Sequence, residues 1–415
     1  MIDGKNSRYG FGNRFYTLVV IIMVISLAGG SCARKQPPKP LDRPALDTPL
    51  NFEVAVRMIA FDLFAQISNQ QKPVNKKQPI PLTFATDAVM NADTGEEIEL
   101  STKIHEIIKI TATNGFPNYS LVEMNSGTID HCDYAIIGVI KQEIYNNQPT
   151  KFPRLYLSAV ELKSSKIMAH SEVWIANQEM KFQPTPLYSD SPMFIKDARA
   201  EKVIATATAV SGENVDQEYF ATLATNAILA EASKAYDGGN YSLAVELFGK
   251  IAEREDGQVM KTYAGLYQAH LKLRHLPAAE EAFGKLAELG IKNGTLSVKF
   301  LFQVNDVNFF GQPEEIAEYD IWIRQLAKKI IATQVCVEIS GHASRSGKAE
   351  YNKKLSERRA QKIRKRLQEV SPAIAKKTVA VGRGFEENIV GTGSDDIRDA
   401  IDRRVEFKVL DCGKM

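Results

Sequence analysis

The sequence predicts a multidomain protein of the α/β plus α class, and three observations carry this prediction. Residues 51–190 alternate strand-like and helix-like hydrophobic patterns, which is typical of an α/β domain. Residues 225–292 show helical periodicity and an internal repeat. Residues 295–415 give the order strand, helix, strand, helix, strand, strand. We therefore expect an N-terminal α/β domain, a linker at residues 191–224, short helical hairpins and a C-terminal βαβαββ domain.

Residues 1–31 have the composition of a targeting segment. Lys5, Arg8 and Arg14 precede the apolar run LVVIIMVISLA, and the small residues GGSC follow it. A basic start, a short apolar core and a small-residue exit are typical of a secretory signal peptide rather than of a spanning helix. The segment ends at Cys32 and resembles bacterial lipoprotein signals, which implies that Cys32 is acylated and becomes the mature N-terminus.

The lipoprotein resemblance also implies a location. Ala33 rather than aspartate follows Cys32, which favours a lipid anchor in the outer membrane, on its periplasmic face. Ordinary cleavage, giving a periplasmic protein, and an uncleaved inner-membrane anchor remain open. Residues 32–50 are rich in proline and charge without periodicity, so we expect them to form an extended tether.

The composition argues against two classes of partner. Lys and Arg total 52 and Asp and Glu total 50, for a net charge of +2. A charge this small creates no overall positive potential that would favour binding to nucleic acid. The histidines are scattered and the cysteines lack metal-ligand spacing, so the sequence predicts neither a metal site nor a cofactor.

Two of the cysteines are candidates for a disulfide. Cys336 begins an apolar stretch, Cys412 follows the last one, and Cys132 stands alone. A Cys336–Cys412 bond is permitted in an oxidising periplasm. It requires that the two strands are antiparallel, with the start of one beside the end of the other.

Residues 51–190 begin with a predicted amphipathic helix. Its apolar positions fall on one face and comprise Phe52, Val56, Ile59, Leu63 and Ile67. The strand patterns YSLVEM and DYAIIGVIK follow, and the turn KSSK joins the strands RLYLSAVEL and KIMAHSEVWIA. This order resembles the periplasmic domain shared by the curli-secretion lipoprotein (CsgG) and the penicillin-binding-protein activator lipoproteins (LpoB). An unrelated α/β domain is the alternative.

The helical region, residues 225–292, repeats. Ala244 and Phe248 recur thirty-five residues later as Ala279 and Phe283. This period and this small-then-aromatic pair resemble tetratricopeptide repeats. The resemblance implies either a groove that docks a protein partner or a rigid spacer. Because two repeats are few for an independent solenoid, we expect neighbouring domains to cap them.

The C-terminal residues 295–415 contain the most specific motifs of the chain. They resemble the OmpA-like peptidoglycan-associating domain, whose phrases are G-H-T-D-x-x-G, N-x-x-L-S-x-x-R-A, G-x-G and N-R-R-V-E. The matching residues are Gly341-His342-Ala343-Ser344, Gly347, Asn352, Leu355-Ser356, Arg359-Ala360, Gly382-Arg383-Gly384 and Asp402-Arg403-Arg404-Val405-Glu406.

The resemblance implies that this loop and helix hold the diaminopimelate residue of a peptidoglycan stem peptide. Arg359 matches the arginine that binds a carboxylate, a role that suits the planar guanidinium. Asn352 matches the supporting asparagine, two helical turns from Arg359 and on the same face. Ser344 stands where the family has the aspartate that binds the ligand ammonium, and His342 lies in the same loop. Loss of that charge should weaken diaminopimelate binding by about 2 kcal/mol.

Arg403 completes the predicted peptidoglycan-binding set. Alternate residues of a strand face opposite sides, so only one of Arg403 and Arg404 can face the groove. The other should pair with a carboxylate or face solvent, and the acidic segment GSDDIRDAID before them could fold back on it. We expect the role of both arginines to be more structural than ligand-binding.

These features together predict a non-enzymatic bacterial envelope lipoprotein that links the outer membrane to peptidoglycan and docks partner proteins. The alternative is an assembly factor or activator of a secretion system or cell-wall machine, whose C-terminal domain binds a protein or does not bind peptidoglycan. An enzyme is not expected, because the sequence has no nucleophile elbow, no plausible carboxylate pair and no metal motif. The identity of the partner and the oligomeric state stay open.

Overall fold

The computed structural model describes residues 47–71, 81–147, 151–177, 180, 182–294, 296–389, 391, 393 and 397–414. Within them the α-helices are α1 Phe52–Gln70, α2 Leu100–Gly115, α3 Pro186–Asp190, α4 Ala198–Thr208, α5 Gln217–Ala221, α6 Leu223–Asp237, α7 Tyr241–Ala252, α8 Met260–Lys272, α9 Leu276–Asn293, α10 Pro313–Ala332 and α11 Ala349–Val370. The strands are β1 Leu82–Thr86, β2 Met90–Asn91, β3 Tyr119–Glu123, β4 Tyr134–Ile144, β5 Lys151–Glu161, β6 Lys166–Trp174, β7 Leu296–Leu301, β8 Cys336–Gly341, β9 Thr378–Gly382 and β10 Arg404–Leu410.

The signal segment, Cys32 and most of the tether lie outside the described residues. Among the described helices, none combines the length and the hydropathy that spanning a bilayer requires.

The N-terminal domain is built on a six-stranded sheet. Its strands are ordered β3-β1-β4-β5-β6, with β2 paired to β4. Strand β1 is parallel to β3 and β4, whereas β4, β5 and β6 are successively antiparallel. Helices α1 and α2 cover one face of the sheet, where a continuous apolar cluster forms. The apolar face predicted for α1 is confirmed, because every one of its five residues is buried.

The expectation that residues 191–224 form a linker is wrong. Helices α4 and α5 lie in this range, and Ala200, Val203 and Ala207 of α4 pack on the second face of the sheet, against β4 and β5. The reason is that β4 is buried without interruption from Tyr134 to Ile140. A strand that is apolar on both sides needs cover on both faces, and this segment supplies the second cover.

Helices α6 to α9 form two successive hairpins. Phe248 of α7 and Phe283 of α9 are fully buried, as are Ala244 and Ala279 one turn before them. The ring of Phe248 lies so close to Gly265 of α8 that a Cβ atom added there would be 2.3 Å from it. Glycine is therefore what allows α8 to approach α7 at this point.

Gly265→Ala is expected to lower the free energy of unfolding by about 1–3 kcal/mol, because the added methyl group overlaps a ring that the core holds in place. Gly249→Ala on α7 is the matched control, since an added Cβ there meets open space. Removing a helix-interior glycine should raise the stability by up to about 1 kcal/mol. Urea unfolding followed by circular dichroism measures both changes. Indistinguishable midpoints for the two variants would contradict the close approach of α7 and α8.

The chain's own residues occupy one face of the hairpins. Asp190, at the end of α3, accepts a hydrogen bond from Tyr236 of α6 at 2.7 Å and forms an ion pair with Lys272 of α8 at 2.8 Å. Directly after it, Met193 forms an antiparallel bridge with Val298 of β7. A partner peptide could therefore reach this face of α6 and α8 only by displacing residues 186–193.

The C-terminal domain has a four-stranded sheet ordered β7-β10-β8-β9. Strand β10 is antiparallel to both β7 and β8, and β8 is parallel to β9. Helix α11 packs on β8 and β9, and α10 packs beside α11. The last strand in the sequence thus lies inside the sheet, where Val405 of β10 pairs with Gly341 at the end of β8 and Arg404 pairs with Leu301 of β7.

The hairpins and the C-terminal domain share one hydrophobic core. Phe283 of α9 stacks on Trp322 of α10, and the Trp322 indole donates a hydrogen bond to the Tyr267 hydroxyl at 2.6 Å. At the edge of this contact, Arg324 pairs with Glu280 at 2.9 Å. The α9–α10 junction is therefore packed like a domain interior rather than joined by a loose connection.

Candidate functional site

The predicted binding loop follows β8 and leads into α11. A Cβ atom on Gly341 would lie 1.9 Å from the carbonyl oxygen of Ser356, so only glycine lets the end of β8 approach the helix this closely. The Ser356 hydroxyl accepts a hydrogen bond from the Gly384 N–H at 2.9 Å, which joins the turn after β9 to α11. The loop is thus held between a helix and the ends of two parallel strands.

Asn352 fixes the shape of this loop from α11. Its side-chain amide donates to the Ser346 carbonyl at 2.6 Å, and the residue is only 3% exposed. Gly347 next to it has a φ of 84°, a conformation that favours glycine. Ser344 is also buried. The structure therefore brings Ser344 and Asn352 into one loop–helix corner, with Asn352 in a supporting position.

His342 is the first residue of this loop, and its side chain is buried and neutral. Burial, together with the charges of Arg404 and Arg383, lowers the pKa of its imidazole to about 3. Its Nε2 atom is 3.6 Å from Glu406 Oε2. An uncharged imidazole offers one donor and one acceptor and no positive charge.

Arg359 is turned into the protein. It has no exposed surface and donates hydrogen bonds to three backbone carbonyls. Nε reaches the carbonyl of Asp306 at 3.0 Å, Nη1 that of His342 at 3.0 Å and Nη2 that of Gln303 at 2.8 Å. The guanidinium also lies over the Phe302 ring. In this conformation Arg359 ties the binding loop to the loop after β7, and a ligand carboxylate could reach it only if these contacts rearranged.

Arg403 and Arg404 are both buried. Arg403 Nε donates to the Phe302 carbonyl at 3.1 Å. Arg404 Nε donates to Glu406 Oε1 at 2.6 Å, and its Nη2 donates to the Glu387 carbonyl at 3.1 Å. These contacts connect β10 to the loops that surround the site.

Asp402 begins the phrase that matches N-R-R-V-E, but the sequence assigns it no role of its own. This carboxylate is fully buried and accepts hydrogen bonds from the N–H groups of Ile389 at 2.6 Å and Gly391 at 2.7 Å. It therefore shapes the segment that follows β9. In the sequence, Asp402 is marked only by its position directly before two arginines and a strand. That position does not predict which backbone N–H groups its carboxylate binds.

A disulfide links Cys336, the first residue of β8, to Cys412, two residues after the end of β10. The Sγ atoms of Cys336 and Cys412 are 2.09 Å apart, and Cys336 is paired in register with Leu410 on β10. Cys132 is a free, half-buried thiol. Among the described residues, no three His, Cys, Asp or Glu side chains are grouped so as to hold a metal ion.

Comparison with known proteins identifies the C-terminal part of the chain. Residues 310–401 match the model of the OmpA family, so the chain contains an OmpA family domain that includes the binding loop and α11. The chain is also similar to the crystal structure of the peptidoglycan-associated lipoprotein from Burkholderia pseudomallei, at 23% identity over 28% of this chain and 94% of that one, with a TM-score of 0.25. No curated protein matches the chain.

Proposed function

We propose, from the OmpA family domain at residues 310–401, that this protein is a non-catalytic bacterial envelope protein that associates with peptidoglycan. In this proposal Cys32 carries lipid and holds the other end of the chain in the outer membrane. The α/β domain is of the type found in CsgG and LpoB, and the hairpins are tetratricopeptide-like. The observation that carries the proposal is the family domain, with its loop seated on α11 through Gly341 and Ser356.

In this proposal the peptidoglycan stem peptide contacts the exposed side of the loop between β8 and α11. Arg345 and Lys348 are exposed there, while Arg359 and Asn352 hold the backbone in place behind them. A stem-peptide carboxylate would pair with these cations. Such contacts are individually weak. A lipid-anchored protein facing a repeating polymer needs only weak contacts, because both ends are held near their partners.

Sedimentation of the purified full-length protein with peptidoglycan sacculi tests this function. Wild type should sediment, and Ser344→Asp should bind a diaminopimelate-containing wall about 30-fold more tightly, because it restores a charge for the ligand ammonium. The double variant Arg345→Ala/Lys348→Ala should bind less. Lys365→Ala, an exposed lysine on α11 several turns from the loop, is the control that should bind like wild type. Failure of correctly folded wild type to sediment would contradict the proposal.

One observation favours a second function. Arg359 is turned inward and Ser344 carries no charge, so neither of the two charges that bind diaminopimelate in the family is presented at the surface. An assembly factor or activator of a secretion or cell-wall machine, whose OmpA domain binds a protein or does not bind peptidoglycan, fits this arrangement. It predicts that neither wild type nor Ser344→Asp sediments with sacculi.

A further inference from the structure

A cavity of about 220 Å³ lies far from the C-terminal site, between the N-terminal domain and α6. The ends of β1 and β3 form one side of it through Asp87 and Glu123. The first turns of α2 contribute Ser101, and α6 closes it with Lys234 and Asp237. The ends of β1 and β3 and the start of α2 thus meet α6, which is distant in sequence, around one cavity.

The cavity occupies a specific point in the topology. After β1 the chain continues through the short strand β2 and then α2, which lies on one face of the sheet. After β3 it continues through the short helix Ile129–His131, where Ile129 packs with Ala227 of α6 on the other face. In open sheets of this kind, ligands bind beyond the carboxyl ends of parallel strands, where successive connections leave to opposite faces. The cavity lies at that position.

The charges around the cavity are predominantly negative. Its lining includes the carboxylates Asp87, Glu97, Glu99, Glu123 and Asp237. Glu123 is paired with Lys234, and Glu97 is paired with Lys261 of α8 at 2.5 Å. Within the described part of the chain, Asp87, Glu99 and Asp237 form no ion pair with a basic side chain. A cationic group entering the cavity would therefore meet three carboxylates that form no direct ion pair, although the charges of Lys261 and Arg199 act on Asp87 and that of Lys261 on Asp237.

Two of these carboxylates, Asp87 and Asp237, have raised pKa values. Burial, and then the charge of Glu97, raises the pKa of Asp87. Burial is also the main reason that the pKa of Asp237 rises to about 6, with Glu97 adding to it. Burial lowers the pKa of His105, which leaves it uncharged at neutral pH. Burial thus opposes the charged form of both carboxylates, and a bound cation would favour that charged form.

We propose that this cavity binds a small organic cation with a primary ammonium group, and that Asp87 and Asp237 are its carboxylate partners. The three N–H donors of an ammonium match the carboxylate and hydroxyl acceptors that line the cavity, including Thr102. This site is independent of wall binding by the OmpA domain.

Isothermal titration calorimetry of the full-length protein tests the proposal. The probe is 1,5-diaminopentane, and glutarate, of the same length and opposite charge, is its control. We expect saturable binding of the diamine with a Kd of about 10 µM to 1 mM and no binding of glutarate. Asp87→Asn and Asp237→Asn should each weaken diamine binding about tenfold or more. Asp130→Asn, an exposed aspartate outside the cavity, should leave it unchanged.

The pH dependence gives a second readout. Lowering the pH from 8 to 5 should weaken binding, because Asp237 becomes protonated below a pKa of about 6. Other groups that face the cavity or flank it are Glu97, Glu99, His105, Glu123, Arg199, Lys234 and Lys261. Asp237→Asn should also raise the melting temperature at pH 8, which shows that the variant is folded. Absence of saturable binding, equal binding of glutarate, or an equal loss with Asp130→Asn would overturn the proposal.

Discussion

Replacing Arg359 with alanine is expected to lower the free energy of unfolding by about 3–5 kcal/mol, because several hydrogen bonds from a charged group are lost, each worth about 1.5–3 kcal/mol. The change removes the Arg359 donor from the carbonyls of Asp306 and His342 and one of two donors from that of Gln303, and it opens a space beside Phe302. Each buried acceptor left unpaired costs about 1–3 kcal/mol. Urea unfolding of wild type and variant measures the loss.

The neighbouring arginine provides a matched control. Arg358 precedes Arg359 on α11 but is exposed, so Arg358→Ala should change the stability by no more than about 0.5 kcal/mol. Arg359→Lys keeps the charge but loses the planar fork, and its stability should fall between those of wild type and Arg359→Ala. If Arg358→Ala and Arg359→Ala unfold at the same denaturant concentration, the inward position of Arg359 is contradicted.

This expectation changes how a wall-binding experiment must be interpreted. Loss of sedimentation by Arg359→Ala would follow from a distorted loop as readily as from a lost ligand contact. The exposed residues Arg345 and Lys348 and the substitution Ser344→Asp are better tests, because they leave the hydrogen bonds of Arg359 in place.

Removing the disulfide should have the second large effect. The double variant Cys336→Ser/Cys412→Ser is expected to be about 2–4 kcal/mol less stable, because the bond closes a long loop in the unfolded chain. The two cysteines are 76 residues apart in the sequence. Adding a reductant to wild type should give the same shift in the urea midpoint.

Cys132→Ser is the control for this prediction. The Cys132 thiol is free and donates only a weak hydrogen bond to the Thr128 carbonyl at 3.2 Å. Its replacement should change the stability much less than the double variant, and a reductant should still destabilise this protein. A reductant that leaves the midpoint of wild type unchanged would show that Cys336 and Cys412 are not bonded in solution.

Element type and order follow from local patterns in this chain. The spacing of Phe52, Val56 and Ile59 predicts the buried face of α1, since a helix repeats every 3.6 residues. The same rule places Phe248 and Phe283 in helices, and the phrases around Gly341 and Arg359 indicate the OmpA domain. These signals lie within a few residues of one another, so they can be recognised without knowledge of the fold.

Long-range contacts decide the rest, and local patterns do not encode them. Arg359 looks like a ligand arginine in its own helix, but its hydrogen-bond acceptors lie more than fifty residues earlier, at Gln303 and Asp306. Residues 191–224 look like a linker in the sequence, but in the fold they cover the apolar second face of the N-terminal sheet. Burial and hydrogen-bond satisfaction depend on which distant segments meet, and it is packing in three dimensions that brings them together.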